Sequence, residues 1–141
     1  IMPILCVGET LQERLAGETN RVLHNQLTAG FANVTAKELS ACVIAYEPVW
    51  AIGTGEFAKP EQVARAIHTI RMQIEHLYGA AAAQRVRVLY GGSVNDENVS
   101  AYLRLEGCDG ALVGGASLNY NIFARITESA YRIQQEAIHQ E

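Results

Sequence analysis

Short apolar runs and longer amphipathic segments alternate along this chain. Four apolar runs have the length and residue types of buried strands, and they cover residues 4–7, 42–46, 85–90 and 110–113. Amphipathic segments that predict helices follow them, at residues 18–31, from Pro60 onward, after Asn95 and after Asn121. The pattern therefore indicates four strand–helix units.

The helix that begins at Pro60 has the clearest pattern. Its apolar residues recur every three or four positions, on one helical face: Val63, Ile67, Ile70, Ile74 and Leu77. Proline favours the first position of a helix, and Gly79 is expected to end this one. Apolar faces are also predicted for the helix over 18–31, at Val22, Leu23, Leu27 and Phe31, and for the last helix, at Ile122, Ile126, Ala130 and Ile133. Thr35 and Glu38 have the spacing of a capping box before a short helical turn.

Regular alternation of strands and helices predicts an α/β fold with a parallel sheet. Because the strands are nearly continuous apolar runs, both faces of the sheet are expected to be covered. No linker, low-complexity segment or change of composition divides the chain. Residues 1–141 are therefore interpreted as one structural unit.

Each predicted strand is followed by residues that can bind a ligand. Glu9 follows the first strand and Glu47 the second, while glycine-rich turns follow the third, at 91–93, and the fourth, at 114–115. Parallel α/β proteins bind ligands at the edge where the strands end. Glycine-rich turns there leave backbone N–H groups free to hold a phosphate, although a doubled glycine alone more often marks only a tight turn.

Glu47 is the strongest candidate for a catalytic group. A glutamate at the exit of a buried strand has a fixed position and a partly desolvated carboxylate, which suits a general base. The loop behind it has Pro48 to stiffen one end and Gly53 and Gly55 to let its tip move, so the loop is a candidate lid that shields a reaction from water. The alternative is an ordinary surface turn.

Composition and charge argue against several classes of partner. The formal net charge of −4 and the lack of a basic run argue against nucleic acid and anionic membranes. No apolar stretch approaches the ~20 residues of a membrane span, and no secretory signal is expected. The three cysteines, Cys6, Cys42 and Cys108, are interpreted as buried free thiols in a reducing cytoplasm, and no pair has metal-ligand spacing.

Four runs of the sequence resemble the triosephosphate isomerase family. They are Ile4-Leu5-Cys6-Val7-Gly8-Glu9, residues 45–55 (AYEPVWAIGTG), Tyr90-Gly91-Gly92-Ser93-Val94-Asn95 and residues 110–118 (GALVGGASL). They follow the order and spacing of the family, and the resemblance spans essentially the whole chain. It implies a TIM (β/α)8 barrel, of which this chain supplies the last four β/α units.

The resemblance also implies roles for nine residues. Glu47 is implied to be the base that moves a proton between adjacent carbons of a triose phosphate. Backbone N–H groups of Gly53, Ser93, Gly114 and Gly115 are implied to bind the substrate phosphate. Ile52 and Leu112 are implied to close over the carboxylate, and Trp50 and Glu9 to exchange hydrogen bonds as the lid shuts. No metal or cofactor is expected, and the full-length enzyme is expected to be a cytoplasmic homodimer.

The departure from the family is one of length. A complete barrel has eight strand–helix units and roughly 250 residues, whereas this chain has four units that match the second half. The family's electrophilic histidine belongs to the unmatched half, and no histidine here matches it by motif. His24, His68, His76 and His139 are expected to face solvent, and activity of the chain alone is doubtful.

Three hypotheses remain open from the sequence. The first is an isomerase that converts dihydroxyacetone phosphate and glyceraldehyde 3-phosphate into each other, with its other half supplied elsewhere in the full protein. The second is a phosphate-binding half-barrel that folds by self-association and has no catalytic activity. A different barrel enzyme acting on phosphorylated sugars is a third, weaker hypothesis, because the glycine turns alone fit it and the glutamate–lid run does not.

Overall fold

A computed structural model describes residues 1–139 of the chain. Four parallel strands form one sheet in the order β1-β2-β3-β4, with the bounds Ile4–Val7, Val43–Tyr46, Arg87–Tyr90 and Gly110–Ala111. The seven α-helices of the described residues are α1 Leu11–Leu15, α2 Thr19–Gly30, α3 Ala36–Leu39, α4 Pro60–Tyr78, α5 Ala80–Arg85, α6 Val99–Leu103 and α7 Tyr120–Ile138. Sequential neighbours pair throughout, so the predicted parallel α/β architecture is confirmed.

The core lies between the sheet and the helices that cover one of its faces. Helices α2 and α4 pack against each other and bury the apolar positions that their periodicity predicts. The exception is Leu77, which is 37% exposed near the end of α4. Gly79 ends α4 as predicted, with φ of 88°, a backbone conformation that side chains other than glycine's disfavour.

The expectation that both faces of the sheet are covered is wrong for the outer strands. All four residues of β2 are buried, whereas Ile4 and Cys6 of β1 are exposed. These two lie on the face opposite to Leu5, which contacts α2 at Gly30. Strand β4 is half-buried and has only two residues, fewer than the predicted 110–113. The residues of the edge strands β1 and β4 are therefore less buried than those of the central strand β2.

Two short helices were absent from the prediction. Helix α1 lies between the first predicted strand and the helix predicted at 18–31, where the sequence pattern predicted no helix, and a Thr10–Glu13 capping box stabilises its start. Helix α5 begins right after Gly79 and takes up Arg85, so β3 begins two residues later than expected. Helix α7 is capped by Asn119 instead of Asn121, because the Asn119 side chain accepts from two backbone N–H groups of the first turn.

The cysteine prediction needs correction, whereas the histidine prediction holds. All three thiols are free, but Cys6 is exposed, and Cys42 and Cys108 are only partly buried. The reason for Cys6 is that β1 is less covered than the sequence pattern implied, whereas Cys42 and Cys108 lie just before β2 and β4, outside the strands. His24, His68, His76 and His139 are all exposed, as expected. Among residues 1–139, no helix is both long and apolar enough to cross a membrane.

Candidate active site

The ends of β2, β3 and β4 meet around a single cleft of about 470 Å³. It gathers seven of the nine residues singled out from the sequence: Glu47, Ile52, Gly53, Ser93, Leu112, Gly114 and Gly115. Glu9 and Trp50 lie outside this lining and are hydrogen-bonded to each other. Most of the residues predicted at the strand exits are therefore close in space. The nine form two groups, seven in the cleft lining and the pair Glu9 and Trp50 outside it.

Glu47 is placed by the strands on either side of it. Its backbone N–H donates to the Val7 carbonyl at 2.8 Å, which continues the β1–β2 ladder by one residue. A Cβ on Gly8 would lie 1.9 Å from the Glu47 carbonyl oxygen, and one on Gly91 would lie 2.6 Å from the Glu47 Cγ. Both neighbouring strand exits are therefore glycine because the Glu47 backbone and side chain occupy the space that a Cβ would need.

Cys6 of β1 is a titratable residue that interacts with Glu47. Desolvation and the adjacent Glu47 carboxylate, through a hydrogen bond and its charge, raise the pKa of Cys6 to about 11. The thiol is therefore neutral around pH 7 and can donate to the carboxylate without adding a second negative charge. This contact could not be predicted from the sequence, because a cysteine within an apolar strand pattern is usually a core residue.

The glycine turns present backbone to the cleft. Gly114 and Gly115 are exposed, and a Cβ on either one would have no neighbouring atom within 4 Å. A short 3-10 helix, Gly115–Leu118, starts at this turn. The turn at 91–93 is more enclosed, because Gly92 covers the Tyr90 hydroxyl and a Cβ there would lie 2.1 Å from it. Exposed N–H groups of such turns can bind an anion without a cationic side chain.

Residues 48–58, here called the lid, connect β2 to α4. Its central residues 52–57 are exposed, with Ile52 47% and Phe57 54% exposed, and Gly53 and Gly55 have positive φ. Ser93 on the third strand exit donates through Oγ to the Ala51 carbonyl at 2.7 Å. The lid thus touches one glycine turn while its tip stands free.

The start of the lid is held by a buried carboxylate. Glu9 is fully buried and accepts from the Tyr46 hydroxyl at 3.0 Å and from the Trp50 indole N–H at 3.2 Å. The Arg14 guanidinium lies 3.7 Å from Glu9 Oε1 and 4.7 Å from the centre of the Trp50 ring. Burial and the Glu9 charge raise the pKa of Tyr46, so its hydroxyl stays a donor.

Tyr46 and Arg14 were not identified from the sequence as site residues. Tyr46 is the last residue of β2, and its pairing with Glu9 spans 37 positions. Arg14 lies on helix α1, which the sequence pattern did not predict. The only feature of the sequence that could have indicated a role for Tyr46 is its position directly before Glu47.

The cleft lining has a distinctive chemistry within the described part of the chain. It contains the Glu47 carboxylate and the Ser93 hydroxyl but no histidine, lysine or arginine. Residues 1–139 also contain no cluster of three or more histidine, cysteine, aspartate or glutamate side chains that could hold a metal ion. The lining of this cleft can accept a proton and offer N–H groups to an anion, and it contains no side-chain cation to polarise a carbonyl.

Parallel β/α units with glycine turns at the carboxyl ends of their strands are the arrangement found in (β/α)8-barrel proteins. The model of the triosephosphate isomerase family matches residues 1–130, so the chain belongs to this family. It is 48% identical over 130 residues to the triosephosphate isomerase of Symbiobacterium thermophilum, an alignment that covers 92% of this chain and 51% of that relative.

Other relatives give the same relation. The chain is 48% identical over 126 residues to the triosephosphate isomerase of Citrifermentans bemidjiense, covering 89% of this chain and 50% of the relative. For the enzyme of Pediococcus pentosaceus the identity is 46% over 124 residues, covering 88% of this chain and 49% of the relative. The chain thus spans about half the length of the curated relatives it matches.

Proposed function

We propose that this chain provides the base, the lid and the phosphate site of a triosephosphate isomerase. The observation that carries the proposal is that Glu47, the lid residue Gly53 and both glycine turns line one cleft. A carboxylate opposite a backbone anion site suits a small substrate with a phosphate at one end and a reactive carbon at the other.

In this proposal Glu47 performs the proton transfer. Its carboxylate removes a proton from the carbon next to the carbonyl of dihydroxyacetone phosphate, leaving an enediolate. Return of a proton to the neighbouring carbon, with transfer of a proton between the two oxygens, gives glyceraldehyde 3-phosphate. The glycines at positions 8 and 91 support this role, since they leave the space that the Glu47 backbone and side chain occupy at the edge of the cleft.

The phosphate end of the substrate is bound by backbone. N–H groups of Gly114 and Gly115, with those of Ser93 and Gly53, are proposed to surround it. Binding energy from this remote group favours closure of the lid, which places Ile52 and Leu112 around the reacting carbons and excludes water. The exposure of Ile52 at the free tip of the lid is consistent with a conformation before closure.

The group that polarises the substrate carbonyl is proposed to lie outside residues 1–139. The cleft lining contains no cationic side chain or histidine, and the relatives are about twice as long as the aligned region. Three free thiols support a reducing, cytoplasmic location. By resemblance, the full-length enzyme is proposed to be a homodimer that uses no metal or cofactor.

The test uses the full protein in deuterated water with dihydroxyacetone phosphate. We expect glyceraldehyde 3-phosphate to form, with deuterium incorporated at the carbon where Glu47 returns a proton. Phosphoglycolate is expected to compete with the substrate. Phosphoglycolate binding without turnover or exchange would contradict the proposal and support the phosphate-binding half-barrel, which the backbone turns alone would permit.

A further inference from the structure

The end of the lid is fixed at Ala58 by two tyrosines. Ala58 is fully buried, although residues 52–57 immediately before it are exposed. Its N–H donates to the Tyr90 hydroxyl at 3.3 Å, and its carbonyl accepts from the Tyr102 hydroxyl at 2.8 Å. Both backbone polar groups of this residue are thus satisfied by side chains from outside the lid.

Ala58 connects the exposed residues of the lid to helix α4. The next residue, Lys59, is the N-cap of α4, and this 19-residue helix packs against α2 and α5. Any movement of the exposed lid residues must therefore be taken up at or before Ala58. A hydrogen bond to its carbonyl restricts rotation of that peptide unit, and so limits the conformations available to the lid.

Tyr102 also connects this end of the lid to a glycine turn. Its ring lies 4.2 Å, centre to centre, from that of Tyr90, the last residue of β3 before Gly91. Tyr90 and Tyr102 are both buried, and burial raises the pKa of each, so both hydroxyls remain protonated and that of Tyr102 can donate to Ala58. Through this contact, α6 supports the lid and the turn at 91–93 together.

We propose that Tyr102 is a positioning residue, whose hydroxyl holds Ala58 so that the lid closes as one unit over Glu47 and the bound phosphate. Tyr102 does not line the cleft, and it acts through Ala58 and Tyr90. The inference rests on the proposed function, because it assigns to Tyr102 an effect on the lid of that same site.

Tyr102→Phe in the full protein tests the proposal, because it removes one hydroxyl and keeps the ring contact with Tyr90. We expect the dissociation constant of phosphoglycolate to rise about tenfold, because a looser lid must lose more conformational entropy on closing. The indole N–H signal of Trp50, assigned with Trp50→Phe, should show altered exchange between lid conformations in relaxation-dispersion NMR. Tyr102→4-aminophenylalanine retains a hydrogen-bond donor, so its phosphoglycolate dissociation constant and its Trp50 exchange should match those of the unaltered protein.

Tyr78→Phe is the matched control. The Tyr78 hydroxyl donates to the carbonyls of Phe31 and Val34, at 3.1 and 2.8 Å, so its loss also leaves main-chain carbonyls without a tyrosine donor. This site is at the far end of α4 from the lid. We expect Tyr78→Phe to lower the melting temperature without changing phosphoglycolate affinity or Trp50 exchange.

The possible outcomes separate this inference from the proposed function. If Tyr102→Phe changes the melting temperature alone, as Tyr78→Phe does, Tyr102 is only a structural residue and the inference is wrong. If Tyr102→Phe does not fold, the test uses Tyr102→4-aminophenylalanine, which retains a donor to the Ala58 carbonyl. Altered exchange of the Trp50 indole N–H in that variant would overturn the inference. If the unaltered full protein neither binds phosphoglycolate nor turns over substrate, the proposed function itself fails.

Discussion

The two walls of the cleft are built differently. On the β2 side, the wall is the side chain of Glu47, which occupies the space beside Gly91 that a Cβ would need. On the β3–β4 side it is largely backbone, at the turns that contain Ser93 and Gly114. A side-chain wall loses its function when atoms are removed or displaced, whereas a backbone wall loses it when atoms are added. The two walls should therefore respond to opposite kinds of substitution.

The largest effect is expected from Glu47→Gln, which removes the proposed base and keeps its shape. In the full protein, kcat should fall by at least ~10²–10⁴-fold, the range typical of a positioned acid–base group. Steady-state turnover measures this change. Glu61→Gln, an exposed substitution in the first turn of α4, is the control and should have full activity. Retained turnover in Glu47→Gln would exclude Glu47 as the base.

Gly91→Ala tests whether the position of the carboxylate matters as much as its presence. The added Cβ would lie 2.6 Å from Glu47 Cγ and 2.9 Å from Oε1, so the side chain must shift. We expect kcat to fall about 10²-fold, since a displacement of about 1 Å can have that effect. Gly30→Ala creates a similar overlap with Leu5, remote from Glu47, and should change stability but not kcat.

Gly114→Val tests the backbone wall by adding atoms. A Cβ at Gly114 has no neighbouring atom within 4 Å, so the fold should be retained, but the added side chain would obstruct the approach of a phosphate. Loss of one charge-assisted hydrogen bond should weaken phosphoglycolate binding about 10- to 100-fold. Ala101→Val, exposed on α6, is the control. Unchanged affinity in Gly114→Val, measured by calorimetry, would place the phosphate site elsewhere.

The smallest effect on the site is expected from a helix cap on the outside of the fold. Thr35 Oγ1 accepts from the Glu38 N–H at 3.3 Å in a capping box. Thr35→Ala should lower the free energy of unfolding by about 1 kcal/mol, measured by urea denaturation, and leave kcat unchanged. A loss of activity would show that the cleft depends on packing far from either wall.

The parts of the site that the sequence predicted depend on local pattern. Strand and helix periods placed the exits of β2, β3 and β4, and parallel pairing then requires Glu47 and the glycine turns to meet at one edge. The individual roles of these residues came from the family resemblance and stay predictions. The sequence pattern was sufficient to predict that these residues meet, because their meeting depends only on the order and direction of the strands.

The parts that the sequence did not predict depend on long-range contacts or short elements. Two hydrogen bonds hold the ends of the lid, one from Tyr46 to Glu9 and one from Tyr102 to Ala58. They join residues that are 37 and 44 positions apart, so no local periodicity of the sequence predicts them. Helix α1 is too short for periodicity to show. The exposure of Cys6 depends on which strand is at the edge, and an apolar run reads the same at an edge as at the centre.

The most direct test measures kcat and the phosphoglycolate dissociation constant together in Glu47→Gln and Gly114→Val. We expect Glu47→Gln to lose kcat far more than affinity, because its phosphate contacts are intact. We expect Gly114→Val to lose affinity, with a smaller change in kcat at saturating substrate. If both variants lose both quantities in parallel, the division of proton transfer and phosphate binding between the two walls is wrong.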